Sequence, residues 1–171
     1  MMNKVRLRRA EAGDEEILAY IQSESWKSAF SGILPPEVLK EYTDRCKLEA
    51  MYQRVLCQKE IRVVMELVAE KPHCIAAWSK SRDSACGDAA ELICIHSLPD
   101  GRRRGYGSVV LRAVLEEMAE HGYAKAILWV FAENTDARKF YEKHGFQKTD
   151  RRQNHFGSME IMYEKILEIM S

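Results

Sequence analysis

Gly101-Arg-Arg-Arg-Gly-Tyr-Gly-Ser108, GRRRGYGS, sets three cationic side chains and three glycines in eight residues, directly after Pro99-Asp100 and directly before a long helical pattern. Glycines let a backbone approach a ligand closely, and the amides opening a helix sit at its positive end. Neighbouring arginines add charge-assisted, bidentate hydrogen bonds, so the stretch suits a pyrophosphate better than a lone carboxylate. The competing reading is a solvated basic turn whose glycines serve only chain reversal. Two nucleotide loops are excluded by spacing. A G-x-x-x-x-G-K-[ST] loop would need glycine where Tyr106 stands, and a G-x-G-x-x-G fingerprint read from Gly105 ends on Val110.

Outward from this loop the pattern alternates between strands and helices. Upstream, IRVVMELVAE from Ile61, HCIAAWSKSR after Lys71-Pro72, and AAELICIHS after Gly87-Asp88 are strand-length runs parted by turn residues, an antiparallel meander. Downstream, Val110, Leu111, Val114, Leu115, Met118 and Ala119 form one apolar helical stripe closed near His121-Gly122. KAILWVF then reads as a buried strand, Asn134 to His144 as a second amphipathic helix ended by Gly145, and 146–151 and 158–165 as two last strands. The N-terminal third begins with an edge strand, KVRLRR, and a helix opened by Gly13-Asp14. Pro35-Pro36 then breaks the chain before a further helix over 45–58.

The expected fold class is α+β: a mixed, mostly antiparallel central sheet of six to seven strands flanked by about four helices. With 171 residues the chain is the size of one domain, in which 1–60 supply helices and 61–171 the core around the loop. The 26 basic and 26 acidic side chains cancel, so no global field exists to hold a polyanion, and nucleic acid is not expected as a partner. No signal-peptide core or membrane-span-length apolar run occurs, which points to a cytoplasmic protein without membrane attachment. Five cysteines with no C-x-x-C pair argue against a disulfide framework and a zinc site; reduced, mostly buried thiols are expected, and no metal.

Arg102-Arg103-Arg104-Gly105-Tyr106-Gly107 resembles the R/Q-x-x-G-x-G/A signature of the GCN5-related N-acetyltransferases, the GNAT superfamily. NTDARKFYEKHGF, from Asn134, resembles that family's N-x-x-A-x-x-F-Y-x-x-x-G-F at the expected distance downstream. ELICIHSLPD is similar to the strand before the loop, and WKSAFSGILPPEVL to the first two helices of many small members. The resemblance implies a GNAT-like fold in which 61–171 binds acetyl-coenzyme A and 1–60 faces the acceptor. It implies an acetyl-CoA-dependent N-acetyltransferase that moves the acetyl group to a primary amine of a small molecule, peptide or protein, by direct transfer in a ternary complex. A homodimer is compatible with this. A coenzyme A-binding sensor or regulatory module without turnover is the alternative.

Such chemistry needs an anchored donor, a deprotonated amine, a stabilised oxyanion and a proton for the departing thiolate. By the resemblance, the pyrophosphate falls to Arg102, Arg103, Arg104, Gly105, Tyr106, Gly107 and Ser108, chiefly through amides. The pantetheine arm falls to the backbone of Ile95, His96 and Ser97 and to Asn134; Ser97 stands where the family usually has an apolar residue. Tyr141, two helical turns after Asn134, is the implied acid, and a phenol with an ordinary pKa near 10 is protonated at neutral pH. Glu91 is the implied base, acting through water, against the reading of an exposed strand carboxylate. His96 is the other candidate, and strict alternation puts the two on opposite faces unless a bulge intervenes. Trp129 stands where a relative acetylating ribosomal-protein N-termini has its glutamate. Cys94 as a covalent acetyl carrier is the less favoured route. Trp26, Phe30, Tyr42 and Tyr52 line either an acceptor pocket or the core.

Overall fold

Alternating side chains over Val5–Arg9 form the edge strand β1, and Asp14, whose carboxylate receives two 2.8 Å bonds from Arg8, leads into α1 (Glu15–Phe30). This is a computed structural model, and it describes residues 4–101 and 103–168. Pro36 opens the short α2 (Pro36–Tyr42), and the Asp44 side chain caps α3 (Arg45–Gln58) through the Lys47 amide at 2.9 Å. The meander follows as β2 (Arg62–Val68), β3 (Lys71–Lys80) and β4 (Ala90–Ser97). Its first turn is Ala69-Glu70, both at positive φ, rather than Lys71-Pro72; Pro72 already pairs with Leu67 across a bulge. α4 (Tyr106–Glu120), β5 (Lys125–Phe131), α5 (Thr135–Lys143), β6 (Gln147–His155) and β7 (Ser158–Ile166) complete the chain.

The seven strands form one sheet in the order β1-β2-β3-β4-β5-β7-β6, antiparallel except where β4 meets β5. Among the described residues five α-helices cover it, and the expected α+β class with a mixed central sheet is what the chain adopts. One core lies under α4, whose stripe Val110, Leu111, Val114, Leu115 and Met118 is buried against Trp78, Leu92 and Leu128. A second packs α1 and α3 on the opposite face through Leu18, Ile21, Leu48, Met65 and Ile75, and a small third one joins Cys86, Ala89, Ile127 and Met162. Each fully buried Leu or Ile stabilises by roughly 1.5–3 kcal/mol. Cys74 and Cys86 are buried and Cys94 partly so, but Cys46 and Cys57 stand exposed on the solvent side of α3; all five are free thiols. No helix among the described residues is long and apolar enough to cross a membrane.

Candidate active site

Two strands that should run side by side instead part company. β4 and β5 are parallel and pair only at Ala90↔Ala126 and Glu91↔Ile127, so from Leu92 to Ser97 the β5-facing edge of β4 has no ladder partner among the described residues. Unpaired backbone groups must find partners elsewhere. The gap between the strands is a cleft of about 1750 Å³, large enough for two substrates at once, reaching from the α4/α5 face of the sheet to the α1 face. Its lining takes in residues 93–97 of β4, the head of α4, and Asn134 and Tyr141 of α5.

The loop geometry is set by two glycines. Gly105 caps α4 at φ 83°, a left-handed conformation that side chains resist. Gly101 is required by contact, because a Cβ there would fall 2.1 Å from His73 Nε2. His73 is the extra residue of the β3 bulge; burial lowers its pKa, its Nε2 has no partner among the described residues, and its ring packs edge-on to Tyr106 at 5.0 Å. The Tyr106 ring therefore buttresses the loop against His73. The amides of Gly105, Tyr106 and Gly107 precede the first intrahelical bond, which runs from Ser108 to Gly105 at 3.2 Å. Of the amides expected over 103–108, two are thus engaged internally: Ser108 on Gly105, and Arg104 on the Gly101 carbonyl at 3.4 Å. Arg104 lies outside the cleft lining, whereas Arg103, at φ 66°, belongs to it. Arg102, the signature arginine, lies outside the described residues.

Asn134 caps α5 by accepting the Ala137 amide at 3.2 Å, which leaves its amide nitrogen available. Tyr141, on the same helix, borders the cleft beside Phe140 and Phe146. Burial, with lesser repulsion from Cys94 and Cys74, raises its pKa above the ordinary phenol range. It therefore holds its proton throughout the physiological range.

A bulge brings Glu91 and His96 together. Ala77 pairs with Cys94 and Trp78 with Leu92, which leaves Ile93 extra and turns Glu91, Cys94 and His96 onto the same face, toward α1. Their environments differ. Glu91 is 5% exposed and fully engaged by Arg82: Oε2 accepts from the backbone N at 3.1 Å and Nε at 3.3 Å, and Oε1 from Nη2 at 2.7 Å. So it is neither exposed nor free. His96 is buried near Trp26, and desolvation lowers its pKa to about 4, so it stays neutral and is a weak base. Burial raises the Cys94 thiol to about 12, far from a nucleophilic thiolate. Trp129 lies under the Arg151 guanidinium at 5.6 Å. Trp26, Phe30 and Tyr52 all border the cleft, and Tyr52 also belongs to the core, 3% exposed and donating to Gln22 at 2.6 Å.

An unpaired strand edge with helix amides at its end, and a protonated phenol bordering the same gap, offer the kinds of donor that a long phosphorylated thioester would need. The sequence matches the model of the acetyltransferase (GNAT) family over residues 23–146. The chain is a GNAT acetyltransferase. Among its relatives is an uncharacterized N-acetyltransferase of Bacillus subtilis, YuaI, 25% identical over 135 residues, covering 76% of this chain and 73% of that protein. The coenzyme A complex of the PaiA N-acetyltransferase from Thermoplasma acidophilum superposes with a TM-score of 0.82 at 20% identity, over 95% of this chain and 99% of that one. The acetyl-CoA complex of Salmonella typhimurium YncA, a putative acetyltransferase, gives 0.74 at 15% identity over 99% and 97%. Within the GNAT frame, the site residues that a sequence reading misses are His73, which locks the loop, and Arg82, which holds Glu91. No local motif marks either, because both act through bulges and loops.

Proposed function

We propose that this GNAT acetyltransferase moves the acetyl group of acetyl-coenzyme A directly to a primary amine, both substrates being held in the cleft at once. The observation that carries this is the splay of β4 from β5, which opens one slot to both faces of the sheet. From the α4/α5 face, the amides of Gly105, Tyr106 and Gly107 would take the pyrophosphate, with Arg102 and Arg103 neutralising its charge and the Ser108 hydroxyl in reach. The free edge of Ile95, His96 and Ser97 would pair with the amide groups of the pantetheine arm, and the Asn134 amide nitrogen would donate to it. From the α1 face comes the amine. Tyr141 is proposed to protonate the leaving thiolate, since desolvation raises its pKa and keeps its proton in place. Glu91 is proposed to receive the amine proton through water, with Arg82 compensating its buried charge.

Replacing Tyr141 by Phe removes one hydroxyl and keeps the ring contacts. It should lower kcat for free-thiol release about 10²-fold while leaving the affinity for acetyl-CoA within about twofold. Unchanged kcat would remove Tyr141 from the acid role. A coenzyme A-binding module without turnover is the second reading, favoured by the engagement of Glu91 with Arg82. Thiol release that depends on added amine decides against it.

A further inference from the structure

Six aromatic rings gather on the α1 side of the cleft. Trp26 and Phe30 of α1 meet edge-on at 5.1 Å, Phe30 meets Phe131 of β5 at 5.2 Å, and Trp26 stacks on Tyr42 at 6.2 Å. His155 and Phe156, at the tip of the β6–β7 hairpin, close the ring: Phe156 lies 4.4 Å from Tyr42 and 6.3 Å from Trp26, and His155 lies 6.2 Å from Phe131. The Tyr42–Phe156 contact bridges α2 to the hairpin, and Ser158 Oγ ties the same hairpin to the Ile33 carbonyl at 3.3 Å. A bridged mouth admits a compact acceptor more readily than a folded protein surface.

Two costs are concentrated here. Phe156 and Gly157 form a two-residue turn with φ of 55° and 81°, a place for Asn-Gly or Gly-Gly. A bulky side chain in the left-handed region is strained by about 1–3 kcal/mol, and such residues cluster at functional sites. The ring is only partly buried, and its partner Tyr42 is 41% exposed, so core packing does not explain the choice. Trp26 Nε1 is likewise buried without an acceptor among the described residues.

The electrostatics select charge. Asp83 pairs with Arg151 and Glu91 with Arg82, but Glu160, facing the cleft beside Phe131, has no ion pair of its own among the described residues. It accepts from Gln153 Nε2 at 2.6 Å and acts on Arg82 at longer range. Away from the α4 loop and α5, the lining carries Asp83, Glu91 and Glu160 against Arg82, with Arg151 pairing Asp83 from outside it. This leaves a surplus negative charge beside aromatic faces, which attract cations. A polycation would call for several unpaired carboxylates. We propose that the acceptor is a small primary amine on an aromatic or similarly flat apolar body, its ring set against Trp26, Phe30 and Phe131 of the cleft wall, with Tyr42 and Phe156 packed behind Trp26 to hold it in place, and its ammonium drawn by Glu160. The proposal rests on the acetyl-transfer reading above.

The test compares kcat/KM for 2-phenylethylamine, ethanolamine, spermidine and an alanine-initiated tripeptide amide at saturating acetyl-CoA, read by free-thiol release. 2-Phenylethylamine should lead each of the others at least tenfold. Phe156→Asn, which suits the left-handed turn, should raise Tm by about 2–4 °C yet cut that lead at least fivefold. Phe156→Tyr should restore it, and Glu160→Gln should raise KM for the amine with KM for acetyl-CoA unchanged. Preference for spermidine, ethanolamine or the peptide, or an undiminished lead in Phe156→Asn, overturns the proposal. No turnover with any of these amines, while acetyl-CoA still raises Tm, overturns it alone. Absence of that thermal shift overturns the acetyl-transfer reading as well.

Discussion

At the scale of single residues, the titratable groups of the cleft are held where desolvation and charge pairing put them. Tyr141 keeps its proton because burial raises its pKa, and His96 refuses one because burial lowers its own to about 4. The same physics acts outside the cleft on Glu66 in β2, fully buried, with neither carboxyl oxygen partnered among the described residues. Burial raises it from 4.5 to about 7. Because the folded pKa lies above the unfolded one, the folded protein binds this proton more tightly. The contribution is complete below 4.5 and is lost as pH rises through 7. Glu66→Gln has no such proton, so its stability relative to the parent should rise by about 3 kcal/mol between pH 4.5 and 8. His96 works the other way, stabilising above 6.5 and losing that contribution as pH falls toward 4, but it is common to both proteins and cancels. Thermal melts of the two across this range check the difference. A constant gap would mean that Glu66 finds a partner in solution.

At the scale of elements, β-bulges do what regular strands cannot. The Ile93 bulge puts Glu91 and His96 on one face, and the His73 bulge presses an imidazole against Gly101 beneath the loop that opens α4. Neither is visible in ELICIHS or KPHCIAAW, which contain no glycine at the irregular position; a bulge is set by cross-strand register, a long-range property. What was legible is local: the α4 stripe, the helix that starts at Asn134, the glycines of the loop and the succession of strands and helices along the chain all follow from spacing. The β6–β7 turn was not, since strand signals end at Arg151 and the rules for tight hairpins do not foresee phenylalanine at positive φ. Arg82 was equally hidden, its partner lying nine residues away across a turn. The loop buttress predicts that Gly101→Ala, whose methyl would sit 2.1 Å from the His73 ring, displaces the loop. KM for acetyl-CoA should rise about tenfold while kcat holds within about threefold. Gly101→Ala combined with His73→Ala, which frees the space, should recover most of the loss. Failure of the second change to rescue would mean that the loop is positioned by other contacts.

At the scale of the whole molecule, the sheet is two antiparallel blocks, β1–β4 and β5–β7, joined by a parallel seam of two register pairs and by the core beneath α4. The proposed donor slot lies along the open part of that seam. A ligand that pairs with β4, caps the head of α4 and meets Asn134 on α5 would bridge both blocks and complete a sheet edge the chain leaves unpaired. Binding to the folded state alone stabilises by about 2.7 kcal/mol at a hundredfold excess over Kd. For a chain of this length that is a rise in Tm of about 5–10 °C. The rise should be local in origin. Amide hydrogen exchange should slow most at 93–97 and 103–107 when acetyl-CoA is added, less in α5, and not at all at the outer edge strand β1, which the seam does not touch. Protection spread evenly over all seven strands would instead indicate that the blocks are already rigidly joined and that the ligand adds only mass-action stability. Protection confined to the loop would leave the pantetheine arm without its strand partner.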